Sequence, residues 1–511
     1  MSDALPVSFR LPEQSLFIGG AWIASGSGRR FPVRNPATGQ IIAWVADADA
    51  SDARRAADAA YAAFPAWSRL PAARRGQLLR NAAALMHERR EELARLITLE
   101  MGKPWREAKG EVAYAASFFE WFAGEGERAY GDVIPHAVPG KRHVVLKQPV
   151  GVVAAITPWN FPAAMIARKL APALAAGCTV VLKPAEQTPL TAMALMEILA
   201  AAGVPDGVVN LVTTNDPAAV ADAWLHDERV RKITFTGSTE VGKLLMRKAA
   251  DQVKRVSLEL GGHAPVIVFD DADIDRAVRG TLASKFRNSG QTCVCANRIY
   301  VQEPVYEAFA AKFTEAVKRL RVGGGFDESI DVGPLVDEAA LAKVAAHVDD
   351  ALAKGARLLA GGRRLEEGEL ARGFFFAPTV LADVSDDMRV MCEETFGPVA
   401  PLVKFRHEAE AYERANASRY GLAAYVFTEN IHRAWRAAER LEYGIIGLND
   451  GTPSTAQVPF GGFKESGIGR EGGPYGIHEF LEVKLIGLAV DEEPPDLPAA
   501  PPRLPAAPPN R

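Results

Sequence analysis

Cysteine is scarce in this chain, with four among 511 residues. So few thiols in so long a chain cannot form a disulfide scaffold, and the protein reads as one of a reducing compartment. An excess of positive charge is also absent. Lysine and arginine number 59 against 63 aspartates and glutamates, with no long basic tract, so nothing points to a nucleic-acid partner. Long hydrophobic runs are missing too: the longest, Leu170 to Leu182, is too short to span a membrane and ends at Lys183. The opening residues, MSDALPVSFRLPEQ, lack the basic-then-apolar order of a secretory signal. No internal repeat is visible. These absences predict a soluble, cytoplasmic protein with neither a nucleic-acid nor a membrane partner.

What remains is ordinary globular composition, 48% apolar and 24% charged, in a chain too long for one core. Two or three domains are expected. From Gly151 to Phe269, β-branched runs alternate with helical stretches, which predicts an α/β fold with a doubly wound parallel sheet. The strand candidates are Gly151–Thr157, Thr179–Lys183, Val208–Val212, Lys232–Thr236 and Arg255–Leu260, with helices such as Pro189–Ala202 and Glu240–Gln252 between them. Upstream, Asp52–Trp67, Ala72–Glu100 and Gly110–Tyr130 read as amphipathic helices, and Arg142–Lys147 as a charged strand. A second α/β region starts at Asp273. The Pro- and Ala-rich 491–511 segment cannot bury enough surface to offset ordering and is expected to be a disordered tail.

Chemistry concentrates in a few motifs. Cys293 follows a Gly-Gln-Thr turn after an apparent helix, and Cys295 lies just beyond it. A thiolate attacks carbonyl carbon well once a helix terminus or a cation has lowered its pKa. Glu259 sits between an apolar strand and Gly261-Gly262, where burial would raise its pKa and suit it to activating water; capping a turn is the alternative role for a carboxylate there. Thr236-Gly237-Ser238-Thr239-Glu240-Val241-Gly242-Lys243 closes a strand and opens a helix. It misses the P-loop pattern at Leu244 and the Rossmann glycine spacing as well, yet a glycine turn on a helix N-terminus can still hold an anion. Cys392, followed by two acids, is a poor nucleophile, and Cys178 reads as core.

These residues carry a resemblance. FRNSGQTCVCANRIYV, VSLELGG, ITPWNFP, VLKPAE, EETFGPV and PFGGFKESGIGREGG resemble NAD(P)-dependent aldehyde dehydrogenases, and the first of them looks most like the succinate-semialdehyde branch. The similarity runs from about Phe17 to Val490. It implies a Rossmann-like NAD-binding domain (1–130 and 151–262), an α/β catalytic domain (263–472) and a small β oligomerisation flap (131–150 and 473–490). By the same resemblance Cys293 is the nucleophile, Glu259 the general base, and Asn160 with the Cys293 backbone N–H the oxyanion hole. Trp159, Gly237, Ser238 and Gly242 would contact the dinucleotide, Lys183 and Glu186 its adenine-side ribose, and Glu394 and Phe396 its nicotinamide end. Because a carboxylate at Glu186 would repel a 2′-phosphate, NAD is expected in preference to NADP. Arg168, Arg287 and Ser454 match the branch's substrate-carboxylate clamp, arginine being suited to two-pronged carboxylate binding. Cys295 is either a small packing residue or, as in some branch members, a redox partner of Cys293. The implied activity is oxidation of an ω-carboxy aldehyde in a homodimer or homotetramer. Glutarate semialdehyde, another short aldehyde and an inactive binding scaffold stay open as alternatives.

Overall fold

The computed structural model describes residues 9 and 11–491, so the expected tail beyond Asp491 lies outside the described residues. Eight strands form the first sheet. Its centre is parallel, in the order Val209–Leu211, Thr179–Lys183, Val152–Ile156, Val230–Thr236, Arg255–Glu259. These strands are buried almost throughout, as a sheet covered on both faces requires. The antiparallel pair Leu16–Ile18 and Ala21–Ile23 extends one edge, and Gly467–Ile468 closes the other. The apolar run that ended at Lys183 resolves into the last part of the helix Ala164–Ala176, a left-handed Gly177 (φ 98°) and the strand Thr179–Lys183. All thirteen residues of that helix are buried. Among the described residues no helix is long and apolar enough to cross a membrane.

The second sheet has six parallel strands, Thr379–Ala382, Val399–Phe405, Ala296–Gln302, Ala264–Val268, Ala423–Phe427 and Ile445–Leu448. Arg357–Ala360 adds an antiparallel edge. A third sheet pairs Lys141–Pro149 with Leu481–Ala489 in unbroken antiparallel register, and Asp132–Ile134 joins it. It leaves Val133, Val483 and Leu485 at 80%, 70% and 66% exposure, an unusual position for three apolar side chains.

The stretch read as one helix, Ala72–Glu100, is two: Ala72–Glu88 and Arg90–Met101. The break falls at Arg89 (φ −92°, ψ 21°), whose guanidinium bonds Glu92 and reaches Glu197 at 3.0 Å on another helix. No glycine or proline marks it. The strands Val152–Ile156, Val230–Thr236 and Arg255–Glu259 end side by side, as parallel neighbours must, and their C-terminal ends supply most of the site.

Candidate active site

A cavity of about 260 Å³ lies at these strand ends, lined among others by Trp159, Asn160, Met165, Thr236, Gly237, Ser238, Cys293, Glu394 and Phe396. Residues far apart in sequence therefore meet around one thiol. Cys293 is half-buried, and the loop that carries it is strained. Asn288, Ser289 and Gly290 are all left-handed (φ 51°, 58° and 75°), at about 1–3 kcal/mol for each non-glycine. Gly290 is required: a Cβ there would sit 2.2 Å from the Gly397 carbonyl oxygen. The strain is held by tertiary bonds. Ser289 Oγ donates to the Gly333 carbonyl at 3.0 Å, Gln291 Nε2 to that of Pro334 at 3.2 Å, and the Val336 N–H to Gln291 Oε1 at 2.9 Å.

Burial pushes the Cys293 thiol up to about 12; Arg168 pulls it down, while Glu394 and Glu259 push it further up. The lowered pKa anticipated for a nucleophilic cysteine is thus not found, because a desolvated thiol beside two carboxylates resists ionisation. Asn160 is buried, its Nδ2 donating to the Gln291 carbonyl at 3.0 Å. Glu259 ends its strand with Oε2 unpartnered, and burial, then Glu471, raises its carboxyl well above the usual range. It is a basic carboxylate with a free oxygen.

One side of the cavity carries the groups expected to contact a dinucleotide. Ser238 caps the helix Thr239–Ala249 by accepting the Val241 N–H at 3.3 Å. The buried Thr236 Oγ1 on the cavity wall has no partner. Trp159 and Phe396 meet edge to face, with ring centroids 5.5 Å apart, and Phe396 itself has φ 57°. Glu394 Oε1 accepts the Gly262 N–H at 3.0 Å, and burial pushes its carboxyl up to about 7. Lys183 and Glu186 pair with each other at 3.1 Å at the end of the neighbouring strand.

A second cavity of about 260 Å³ begins one residue on from Asn160, lined by Glu107, Gly110, Glu111, Tyr114, Phe161, Arg287 and Ser454. Tyr114 Oη and Ser454 Oγ are 3.4 Å apart. Arg287 lies over the Phe161 ring at 4.9 Å and makes no ion pair among the described residues. Arg168 is placed differently. It is 1% exposed, its Nε is 2.8 Å from Glu471 Oε2, and it lies 3.7 Å from the centre of the Phe460 ring, leaving Nη2 unpartnered. Cys295 is fully buried with its thiol directed to the Lys285 carbonyl at 3.2 Å, and all four cysteines are free.

Sequence reasoning missed several residues here. Glu471, in the PFGGFKESGIGREGG motif but assigned no role from the sequence, holds Lys169 Nζ at 2.5 Å as well as Arg168. His263 is buried, and its Nε2 bonds the Met391 carbonyl at 2.9 Å, tying the strand after Gly262 to the segment leading into Glu394. Burial, then Arg298, drives its pKa well down, so the ring is neutral and serves as a donor. A histidine next to a glycine pair offered no sign of that contact.

The aldehyde dehydrogenase family profile matches residues 22–486. The chain is 55% identical to the succinate-semialdehyde dehydrogenase [NADP(+)] GabD of Escherichia coli K12, over 93% of this chain and 97% of that one. It is 52% identical to a glutarate-semialdehyde dehydrogenase of Pseudomonas putida, over 94% and 99%. The crystal structure of a Burkholderia pseudomallei succinate-semialdehyde dehydrogenase superposes with a TM-score of 0.92 at 51% identity, covering 94% of this chain and all of that one. The expected preference for NAD over NADP is corrected by these relatives, since the E. coli protein is named for NADP(+). The physical reason is the Lys183–Glu186 pair: the carboxylate charge is already balanced and does not stand alone against a 2′-phosphate. With a profile spanning nearly its whole length, relatives above half identity and a superposable fold, the chain belongs to the aldehyde dehydrogenase family.

Proposed function

We propose that this NAD(P)-dependent aldehyde dehydrogenase oxidises an ω-carboxy aldehyde, succinate semialdehyde foremost, with NADP as its cofactor. The observation that carries this reading is Arg287: a half-buried guanidinium with no ion-pair partner among the described residues, on one cavity wall with Ser454 and over the ring of Phe161. An arginine with no ion pair, facing a cavity, can take a planar anionic group through two hydrogen bonds, with Glu107 on the same wall tempering its charge.

Cys293 Sγ attacks the aldehyde carbon, and Asn160 Nδ2 with the Cys293 N–H stabilises the oxyanion. The thiol must lose its proton first, and Glu259, with a free oxygen and a raised pKa, is the acceptor at hand. A bound nicotinamide would supply the hydride acceptor, and loss of hydride from the carbon leaves a thioester on Cys293. Once Glu259 has passed the thiol proton to solvent, it takes a proton from the water that attacks this thioester; Cys293 leaves as thiolate and the acid departs. Trp159, Gly237, Ser238, Lys183, Glu186, Glu394 and Phe396 would hold the cofactor. The exposed apolar side chains of the three-stranded sheet support a homo-oligomer built on that face.

The test compares kcat/KM for succinate semialdehyde, glutarate semialdehyde and butanal with NADP. A strong preference for the semialdehydes supports the reading, and equal rates with butanal discard the clamp. The glutarate substrate is kept as a second reading because of the P. putida relative.

A further inference from the structure

The chain between the strand Val152–Ile156 and the helix Ala164–Ala176 is irregular, and that helix has no side-chain cap from its own N-cap residue. Its backbone is satisfied from elsewhere. Glu111 Oε1 accepts the N–H groups of Ala163 at 2.8 Å and Ala164 at 3.2 Å. Glu111 Oε2 takes the Lys103 ammonium, which also donates to the Asn160 carbonyl at 3.0 Å and lies 3.6 Å from the centre of the Phe161 ring. Both side chains of this pair are fully buried. Asn288, in the strained loop before Cys293, sends Nδ2 to the same Asn160 carbonyl at 2.9 Å. One carbonyl oxygen therefore joins the buried pair to the loop of the nucleophile.

Removing two charges from water is expensive, and well-packed apolar residues often match a buried ion pair in stability. What apolar residues cannot do is donate to the Asn160 carbonyl while accepting the amides after Phe161. We propose that Lys103 and Glu111 are positioning residues for oxyanion stabilisation, their pair fixing Asn160 relative to Cys293. This rests on Asn160 being the oxyanion donor.

The experiment replaces the pair by Lys103→Met/Glu111→Gln, which removes both charges of the pair together, leaves Arg287 as a cation acting on the neighbouring Glu107, and keeps an oxygen for the Ala163 amide. It is made in the wild-type and Asn160→Ala backgrounds. Turnover of succinate semialdehyde with saturating NADP is measured with NADPH affinity, from its fluorescence, and Tm. In the wild-type background kcat is expected to fall about 10- to 100-fold, with NADPH affinity within about threefold. In the Asn160→Ala background the same replacement should cost less than about twofold, since the donor it positions is gone. An equal loss in both backgrounds would show an effect on the fold alone and overturn the inference. If Asn160→Ala lowers kcat but the pair replacement does not, the positioning role fails and the oxyanion reading stands. If Asn160→Ala leaves kcat unchanged, both fall. Should the double variant not fold, Lys103→Met alone, with Glu111 still accepting the Ala163 and Ala164 amides, carries the same comparison.

Discussion

Replacing Arg287 by methionine isolates the group that sets substrate choice. Arg287 faces the second cavity with Ser454, stacks over Phe161 and has no ion-pair partner among the described residues, so its removal breaks no salt bridge, although it takes a favourable charge from the neighbouring Glu107. A hydrogen bond to a charged group is worth ~1.5–3 kcal/mol. The guanidinium is only half-buried and partly screened, so ~2 kcal/mol is the fitting value, or about 30-fold in kcat/KM. Initial NADPH formation is measured with succinate semialdehyde and with butanal, which has no carboxylate. The semialdehyde should lose about 30-fold and butanal less than about threefold. The ratio cancels any general damage from the lost stacking on Phe161. Arg168→Met is the contrasting variant: it leaves Glu471 to Lys169 alone and changes the field at Glu259, so both substrates should suffer. An equal loss with both aldehydes in Arg287→Met, or none with the semialdehyde, refutes the clamp.

Other consequences follow from the same geometry. Glu259→Gln should lower turnover about 10²- to 10⁴-fold and make the residual rate climb with pH, because hydroxide then replaces the base; a near-normal rate at neutral pH would remove Glu259 from the mechanism. A thiol pushed up to about 12 is almost wholly protonated at neutral pH, so iodoacetamide should alkylate Cys293 of the free enzyme ever faster as pH is raised. A plateau near about pH 8 would contradict that environment. Val483→Asp with Leu485→Asp places two carboxylates on side chains that are 70% and 66% exposed, so the monomer fold should survive. Light scattering should then report a lower mass, and an unchanged mass would locate the subunit contact elsewhere.

Much of this was legible in the chain itself. The strand Thr179–Lys183 stands where its β-branched run placed it, and the other parallel strands of the first sheet differ only at their ends. A strand buried on both faces writes a continuous apolar run that few other structures would use. The residues expected around the nucleophile were also readable, because Cys293, Asn160 and Glu394 sit in compact motifs and all line one cavity. The break at Arg89 was not legible, since neither glycine nor proline marks it and one of the carboxylates Arg89 bonds there, Glu197, is supplied by another helix.

The sequence by itself determined the alternation of strands and helices, the strand-end turns and the identity of the chemical groups, all set by local periodicity and composition. Tertiary structure alone decided their electrostatic state. Glu471 pairs with the distant Arg168, whereas Arg287 makes no ion pair among the described residues. Burial raises Cys293 and Glu259 together. A pKa or a salt bridge depends on desolvation and on partners hundreds of residues away, and no local pattern encodes either.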